Sequence, residues 1–378
     1  MARNEPQSPR TFRPARRRRR GARTDARPYS AATVLVTGGA GFVGSLTCTD
    51  LLDHGYEVIV VDDHSNSTPQ VFPRVERVAG RFVGAVYQLD IRDRSALSAV
   101  FARHSVDAVV HFAAHKSEVR STRMPVGYYD TNVGGTTALL RTMHEHGVHH
   151  LVYHSSAAVY GDAGRGPLDE RTPPRPVTPY AMSKWVCERI LEDVCRHCPQ
   201  CTVVALRCST PAGAHPSGLL GEDQRNAPES LLAQMALVAD GRRPRLEIRG
   251  DTHPTPDGTP VRDYLHVMDA VEAHRVALDH LADGPGMTVY NLGRGEGSSV
   301  RDVISAFTAE TGRPVPYEVL PAEPGAVPEI VADPTALTRA WGWRPARDLT
   351  DVCRDTWHFQ RLNPHGYRDA VPGPEAGA

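Results

Sequence analysis

The chain has 378 residues with 43 basic and 44 acidic side chains, a formal charge of −1, and 40% hydrophobic residues. That length supports one large domain or two around a sizeable core. No apolar run approaches the eighteen or more residues of a membrane span, so the composition excludes a membrane-spanning helix.

The charge is uneven. The first 30 residues hold ten Arg against Glu5 and Asp25, a local +8 that leaves about −9 on the rest. This Arg-rich tail, residues 1–31, cannot build a core and is expected to be disordered. It is read as an inert tail in preference to a nucleic-acid tether. Arg16 to Arg20 could open a twin-arginine export signal, but no apolar stretch follows. Seven cysteines are too few and too irregular for a disulfide scaffold. Both points favour a reducing cytoplasm.

Thr33-Val-Leu-Val-Thr37 reads as a strand, followed by Gly38-Gly-Ala-Gly41-Phe42-Val43-Gly44 and a helical pattern to about His54. Strand, glycine turn and helix together make a pyrophosphate cradle: glycines admit close backbone approach, and the helix start offers unpaired amides. A second strand, Glu57 to Asp62, ends on an acid. A carboxylate there accepts from a ribose diol and repels a 2′-phosphate, so the implied cofactor is NAD.

Val86 to Ile91 reads as a third strand, a helix follows from about Arg94, and Asp107 to His115 is a fourth strand running to Lys116. This alternation predicts an α/β fold, a Rossmann-like doubly wound parallel sheet. Pro125 to His146 reads as one long helix carrying Asn132. Leu151 to Gly161 is a strand leaving Ser156 at the carboxyl edge, where open α/β sheets bind ligands.

After the Pro-rich loop Pro173 to Pro179, Tyr180 precedes Lys184 by four residues on an amphipathic helix, which puts both on one face. An ammonium near a phenol favours the phenolate, so the pair is predicted to be a proton-transfer device. Only two of the basic residues are lysines, Lys116 and Lys184. A compact ammonium is therefore kept where the planar fork of Arg would not serve. Cys195, Cys198 and Cys201, with His197 between, resemble half a metal site but bring no fourth ligand at a known spacing. They are read as loop thiols, and no metal is expected.

Cys201 to Arg207 is a sixth strand. Residues 210 to 263 are irregular and rich in Gly and Pro, with one helix near Glu229 to Asp240, as expected of a smaller substrate-covering lobe. A helix over Val267 to Ala282, a strand over Thr288 to Leu292 returning to the sheet, a helix over Ser298 to Thr311, a strand near Tyr317 and helices from Pro334 and from Leu349 to Leu362 complete the chain. The expected division is 1–31 tail, 32–208 NAD-binding domain, 209–370 mainly substrate lobe and 371–378 tail.

From Thr33 to Tyr367 the chain resembles the extended short-chain dehydrogenase/reductase family, and within it the UDP-glucose 4-epimerases. The resemblance rests on Val36-Thr-Gly-Gly-Ala-Gly-Phe-Val-Gly44, His111-Phe-Ala-Ala-His-Lys116, Ser155-Ser-Ala-Ala-Val-Tyr-Gly-Asp162, Gly213-Ala-His-Pro-Ser-Gly218, Pro254 to Asp269 and Asp355-Thr-Trp-His-Phe359. It implies cofactor contacts at Phe42, Val43, Asp62, Asp63, His64, Ser65, Asn66, Ser67, Asp90, Ile91, Phe112, Ala113, Ala114, His115, Lys116, Asn132, Tyr180 and Lys184. It implies substrate contacts at Ser156, Tyr180, Thr210, Ser230, Leu231 and Arg262. The implied reaction is redox-neutral: Tyr180, helped by Ser156, takes the 4-hydroxyl proton of a nucleotide-diphospho-sugar, a 4-keto sugar forms, and configuration inverts on return. The resemblance also implies a homodimer packed through the Pro125 and Tyr180 helices.

The substrate half departs from the family pattern. Arg207-Cys-Ser-Thr-Pro211 stands where relatives read Arg-Tyr-Phe-Asn-Pro, and Ser230-Leu231 where they place Asn-Leu. Ala322-Glu-Pro-Gly-Ala326 replaces the diphosphate-gripping Arg-Arg-x-Gly-Asp, putting Glu323 where a cation is expected. Ile330 takes the place of a bulky Tyr, which reads either as room for a 2-acetamido group or as loop drift, and His154 replaces a Ser. The preferred reading is a UDP-glucose/UDP-galactose 4-epimerase or a sibling acting on a UDP-hexosamine or modified nucleotide-diphospho-hexose. A dehydratase or reductase, and a non-catalytic NAD-binding homologue, are the competing readings. Dehydratases of this type carry an acid in the stretch that here reads Ser155-Ser156-Ala157.

Overall fold

Seven short runs rich in β-branched residues form one parallel sheet: β1 (Thr33–Thr37), β2 (Glu57–Asp62), β3 (Ala85–Gln88), β4 (Ala108–His111), β5 (His150–Ser156), β6 (Thr202–Cys208) and β7 (Gly286–Leu292). The computed structural model of the protein describes residues 32–223, 230–323 and 325–371. The Arg-rich tail, Glu229 at the expected start of a helix, and 372–378 of the C-terminal tail lie outside the described residues.

The spatial order is β3-β2-β1-β4-β5-β6-β7, every pairing parallel. The order reverses between β1 and β4, and the crevice beyond their carboxyl ends is the expected ligand position.

β1 is buried along its whole length, and its side chains alternate between two cores. Val34 and Val36 join one apolar cluster and Leu35 the other. Helices α1 (Phe42–Asp53), α2 (Arg94–Arg103), α3 (Gly135–His146), α4 (Pro179–His197) and α5 (Val267–Asp279) cover both faces. α1 and α5 lie over Val34 and Val36, and the other three over Leu35. Leu35 is fully buried, so truncation to Ala would cost about 2–5 kcal/mol.

Several local expectations shift. β3 ends at Gln88, which puts Asp90 and Ile91 in the turn before α2. The helix expected over Pro125 to His146 is interrupted: one turn at Pro125–Tyr128, a π-helical turn at Tyr129–Gly134, then α3. Close packing accompanies the break, since a Cβ on Gly135 would lie 2.4 Å from Ile91 Cδ1. Such π turns gather at functional positions, and this one carries Asn132.

Beyond β6 a separate cluster containing Met235, Phe307 and Val352 forms the core of the lobe. Two four-residue strands there escape sequence reading. Leu246–Arg249 pairs with Tyr317–Leu320, and Glu329–Ala332 lies beside Val261–Arg262. Among the described residues no helix is long and apolar enough to cross a membrane.

Candidate active site

The glycine turn is shaped by contact. Gly38 sits at φ 71°, and a Cβ there would lie 2.7 Å from the Ala113 amide nitrogen. A Cβ on Gly44 would lie 2.1 Å from the Gly38 carbonyl oxygen, so α1 can start this close to β1 only without a side chain. Gly41 caps α1 with no side-chain hydrogen bond, leaving the first-turn amides to a ligand.

Asp62, at the carboxyl end of β2, accepts from the Ala40 amide at 2.9 Å, the His64 amide at 2.9 Å and the Ser67 hydroxyl at 2.7 Å. These use three of about four acceptor positions of a carboxylate, leaving one on Oδ2 for a ribose hydroxyl. His64 is the one non-glycine with positive φ among the described residues. Strain of this kind persists where surrounding bonds over-determine it. The cradle and the fixed acid fit NAD. Asp63 bonds Ser65 beside this turn, and Ser65 and Asn66 are exposed.

Asp90 is occupied by Arg92, which donates through its amide at 2.9 Å and Nε at 3.0 Å and holds the carboxyl below its usual range. Ile91 is buried beneath. The stretch after β4, Phe112-Ala113-Ala114-His115-Lys116, is pinned by Asn132. Its Oδ1 accepts from the His115 amide at 2.8 Å, and its Nδ2 donates to the His115 carbonyl at 3.1 Å and the Ser183 hydroxyl at 2.8 Å. Both Asn132 donors are thus spent on tying this loop to α4. Lys116 ion-pairs with Glu222 at 2.9 Å, across to the lobe.

α4 opens with Thr178 accepting from the Ala181 amide at 3.2 Å and Pro179 in its first turn. Tyr180, Ser183, Lys184, Cys187, Glu188 and Leu191 form its buried face at a spacing of three and four. The Ser156 hydroxyl at the end of β5 acts on the Tyr180 phenol, drawing its pKa down, and accepts from the Ala158 amide at 3.2 Å. Lys184 Nζ donates to the His154 carbonyl at 2.7 Å and lies 5.0 Å from the Tyr153 ring centroid.

The expected lowering of the phenol is reversed. Burial pushes Tyr180 above its ordinary value, Ser156 pulls it down, and Glu118, Cys208 and Tyr128 push it further up. Burial also brings Lys184 down to about 8. Desolvation disfavours both charged forms, and Lys184 directs a proton at a backbone carbonyl.

Glu188 and Arg207, both buried, ion-pair at 2.7 Å, and Arg207 also donates to the Tyr160 hydroxyl at 3.1 Å. Sequence reading missed this anchor, which locks α4 onto β6 one turn below Lys184. His154 Nδ1 lies 3.0 Å from His274 Nε2, while His274 Nδ1 donates to the Ala270 carbonyl at 2.7 Å. Burial keeps both rings neutral, with His274 pushed down to about 4. His154 is therefore a packing residue.

On the substrate side, Thr210 begins a short strand and its amide donates to the Asp263 carbonyl at 3.0 Å. The Ser230 hydroxyl donates to Glu222, the same carboxylate that holds Lys116, and Leu231 opens the following helix. Burial would raise the Glu222 carboxyl, but Lys116 and Ser230 together bring it below its usual range. Arg262 donates to the carbonyls of Val261 at 2.8 Å and Val327 at 2.9 Å. These bonds leave its charge unneutralised. Glu323 ion-pairs with Arg249 at 3.1 Å, so a cation absent from the expected motif arrives from a neighbouring strand. Ile330 is buried against Ala157, Val159 and Tyr160.

The sequence profile of the NAD dependent epimerase/dehydratase family matches residues 34–293. A UDP-glucose 4-epimerase of Yersinia pestis is 44% identical over 337 residues, covering 89% of this chain and 99% of the relative. The crystal structure of UDP-glucose 4-epimerase from Bifidobacterium longum in complex with NAD+ and UDP superposes with a TM-score of 0.86 at 42% identity, covering 89% of this chain and 100% of that one. A Stenotrophomonas maltophila UDP-glucose 4-epimerase with bound NAD and formylated UDP-arabinopyranose gives a TM-score of 0.84 at 42% identity, covering 87% and 98%.

Proposed function

The chain belongs to the NAD dependent epimerase/dehydratase family, and from that premise we propose that it interconverts UDP-glucose and UDP-galactose by inverting the sugar at C4. The observation that carries this reading is the buried Tyr180 phenol under the influence of Ser156 at the carboxyl edge of the sheet, the same edge that carries the glycine cradle. Bound NAD supplies a reversible hydride acceptor and a positively charged ring.

Tyr180 takes the 4-hydroxyl proton, with Ser156 relaying it, since a hydroxyl both donates and accepts. Burial alone raises the phenol, so the proton leaves only when cationic charge stands close by. Lys184, fixed by the His154 carbonyl, holds its ammonium beside the cofactor site. The 4-keto sugar turns over in the pocket, and Tyr180 returns its proton as the opposite configuration forms. Arg262 and Arg249 are the cations we assign to the diphosphate. Ser155 is buried and donates to Glu188, which supports the reading that nothing in this stretch expels water.

We place cofactor binding in residues 32–208 and substrate coverage mainly in 209–370. A cytoplasmic enzyme fits the seven free thiols. A second copy is assigned to the surface formed by the Pro125 turn, Glu118–Arg123 and α4, which pack together and leave Val119, Met124 and Val126 exposed.

Incubating the purified protein with UDP-galactose and following C4 by proton NMR tests the reading. Clean inversion is expected. Inversion only of a UDP-hexosamine or modified nucleotide-diphospho-hexose would move the substrate to that class, and loss of water or no product would overturn it.

A further inference from the structure

The three cysteines that sequence spacing leaves one ligand short acquire that ligand from the fold. α4 ends at His197, and the chain turns through Cys198 and Cys201 into β6. His149 immediately precedes β5, the strand beside β6. This brings His149, Cys198 and Cys201 together, with one donor atom from each within 4.8 Å of the others. Cys201 Sγ lies 3.8 Å from His149 Nδ1 and 2.6 Å from Cys198 Sγ. His197, the imidazole nearest in sequence, is turned away, its Nδ1 2.9 Å from the Asp193 carbonyl. Cys195 sits on α4 one helical turn before Cys198, just outside that 4.8 Å cluster.

We propose that His149, Cys198 and Cys201, completed by Cys195, bind one thiophilic divalent cation of the zinc class. Zn–S near 2.3 Å and Zn–N near 2.0–2.1 Å put tetrahedral donors about 3.5–3.8 Å apart, which the His149–Cys201 separation already meets and which Cys198 and Cys201 reach by parting about 1 Å.

The position defines the role. Tyr180 lies in the first turn of α4 and the cysteines at its other end, separated by more than four turns of a 19-residue helix, about 22 Å or more. The cation would not touch the sugar. It would staple the far end of the catalytic helix to the amino edge of β5 and β6, as a closed structural site does.

The test uses untagged full-length protein purified under reducing conditions without chelator. About one zinc per chain by elemental analysis is expected, and cobalt substitution should give the visible bands of a tetrahedral thiolate site. The Cys198→Ser/Cys201→Ser double variant should lose both signals, His149→Ala should weaken metal affinity by more than the roughly 10- to 100-fold that loss of an outer partner of a ligand costs, and Cys353→Ser should keep full occupancy. Chelation of the wild-type protein should lower its thermal midpoint, a readout that does not depend on a variant folding. Protein that takes up neither zinc nor cobalt, a Cys198–Cys201 disulfide in place of metal, or metal retained by the double variant would each overturn the proposal.

Discussion

In the cofactor half of the cleft, polar groups find partners nearby in sequence: Asp62 takes the Ala40 amide 22 residues away and the Ser67 hydroxyl five away. Where the lobe meets the sheet the reach is longer. Lys116 of the cofactor half meets Glu222 across 106 residues, and Arg262 of the lobe meets the Val327 carbonyl across 65. The turn around Asp62 is self-contained, whereas Lys116 and Glu222 meet only when the lobe closes on the sheet. Mutations in the two halves should therefore separate, chemistry and cofactor retention on one side and substrate affinity on the other.

The sharpest separation is expected at their meeting point. Tyr180→Phe removes the hydroxyl and keeps the ring, and should lower kcat about 10³-fold, within the range of general acid–base catalysis. NAD released on denaturing the variant should match wild type, because the glycine cradle and Asp62 are untouched. Unchanged turnover would remove Tyr180 from its assigned role.

Arg207→Met should cost about 3–5 kcal/mol in urea unfolding, because Glu188, only 2% exposed, is left as a buried unpaired charge. Arg207→Met/Glu188→Leu should recover most of that loss. A single variant as stable as wild type would show that α4 is positioned by its apolar face alone.

Lys184 gives a pH test confined to the cofactor half. Its folded pKa of about 8 lies below the ordinary 10.5, so between these values the folded protein binds fewer protons than the unfolded chain. Stability from this group therefore rises with pH across that window, while the charge is lost above pH 8. NAD affinity of the cofactor-free protein should fall about tenfold between pH 7 and 9 if the ammonium is needed. A flat profile would separate Lys184 from cofactor binding.

How far each half is legible follows from the same contrast in range. β1, the glycine turn and β2 could be read because strand, turn and helix signals are adjacent and the contact at Gly44 is local, whereas the close approach of Gly38 to Ala113 comes from the distant β4. Asp90 was only half legible, since its partner Arg92 lies two residues on yet nothing in the spacing announces that the pair closes. Nothing in the sequence pairs Glu188 on α4 with Arg207 on β6, and only the fold places one against the other. Leu246–Arg249 and Glu329–Ala332 are too short for periodicity to find, and they form because distant strands pair with them. A lone Tyr–Lys pair implies a lowered phenol, but the fold buries both groups and turns Lys184 to the His154 carbonyl, so desolvation raises Tyr180 instead.

Glu323 is where the substrate half can be tested with the smallest disturbance. Sequence alone sets an anion against the diphosphate, whereas the fold pairs it with Arg249 at 3.1 Å, both partly exposed. An exposed pair contributes roughly 0–1 kcal/mol to stability, so substitutions there should leave the unfolding midpoint almost unchanged. The local field does change. Arg249→Ala frees the Glu323 charge and should raise KM for UDP-galactose about threefold at constant kcat, while Glu323→Arg should lower it by a similar factor. Raising the salt concentration should shrink both effects, since exposed charges are screened. Were neither variant to move KM, the diphosphate would have to lie elsewhere, with Arg262 as its one assigned clamp. A change in kcat instead would mean that the lobe and the Tyr180 helix are coupled more tightly than the long-range partners of Lys116 and Arg262 imply.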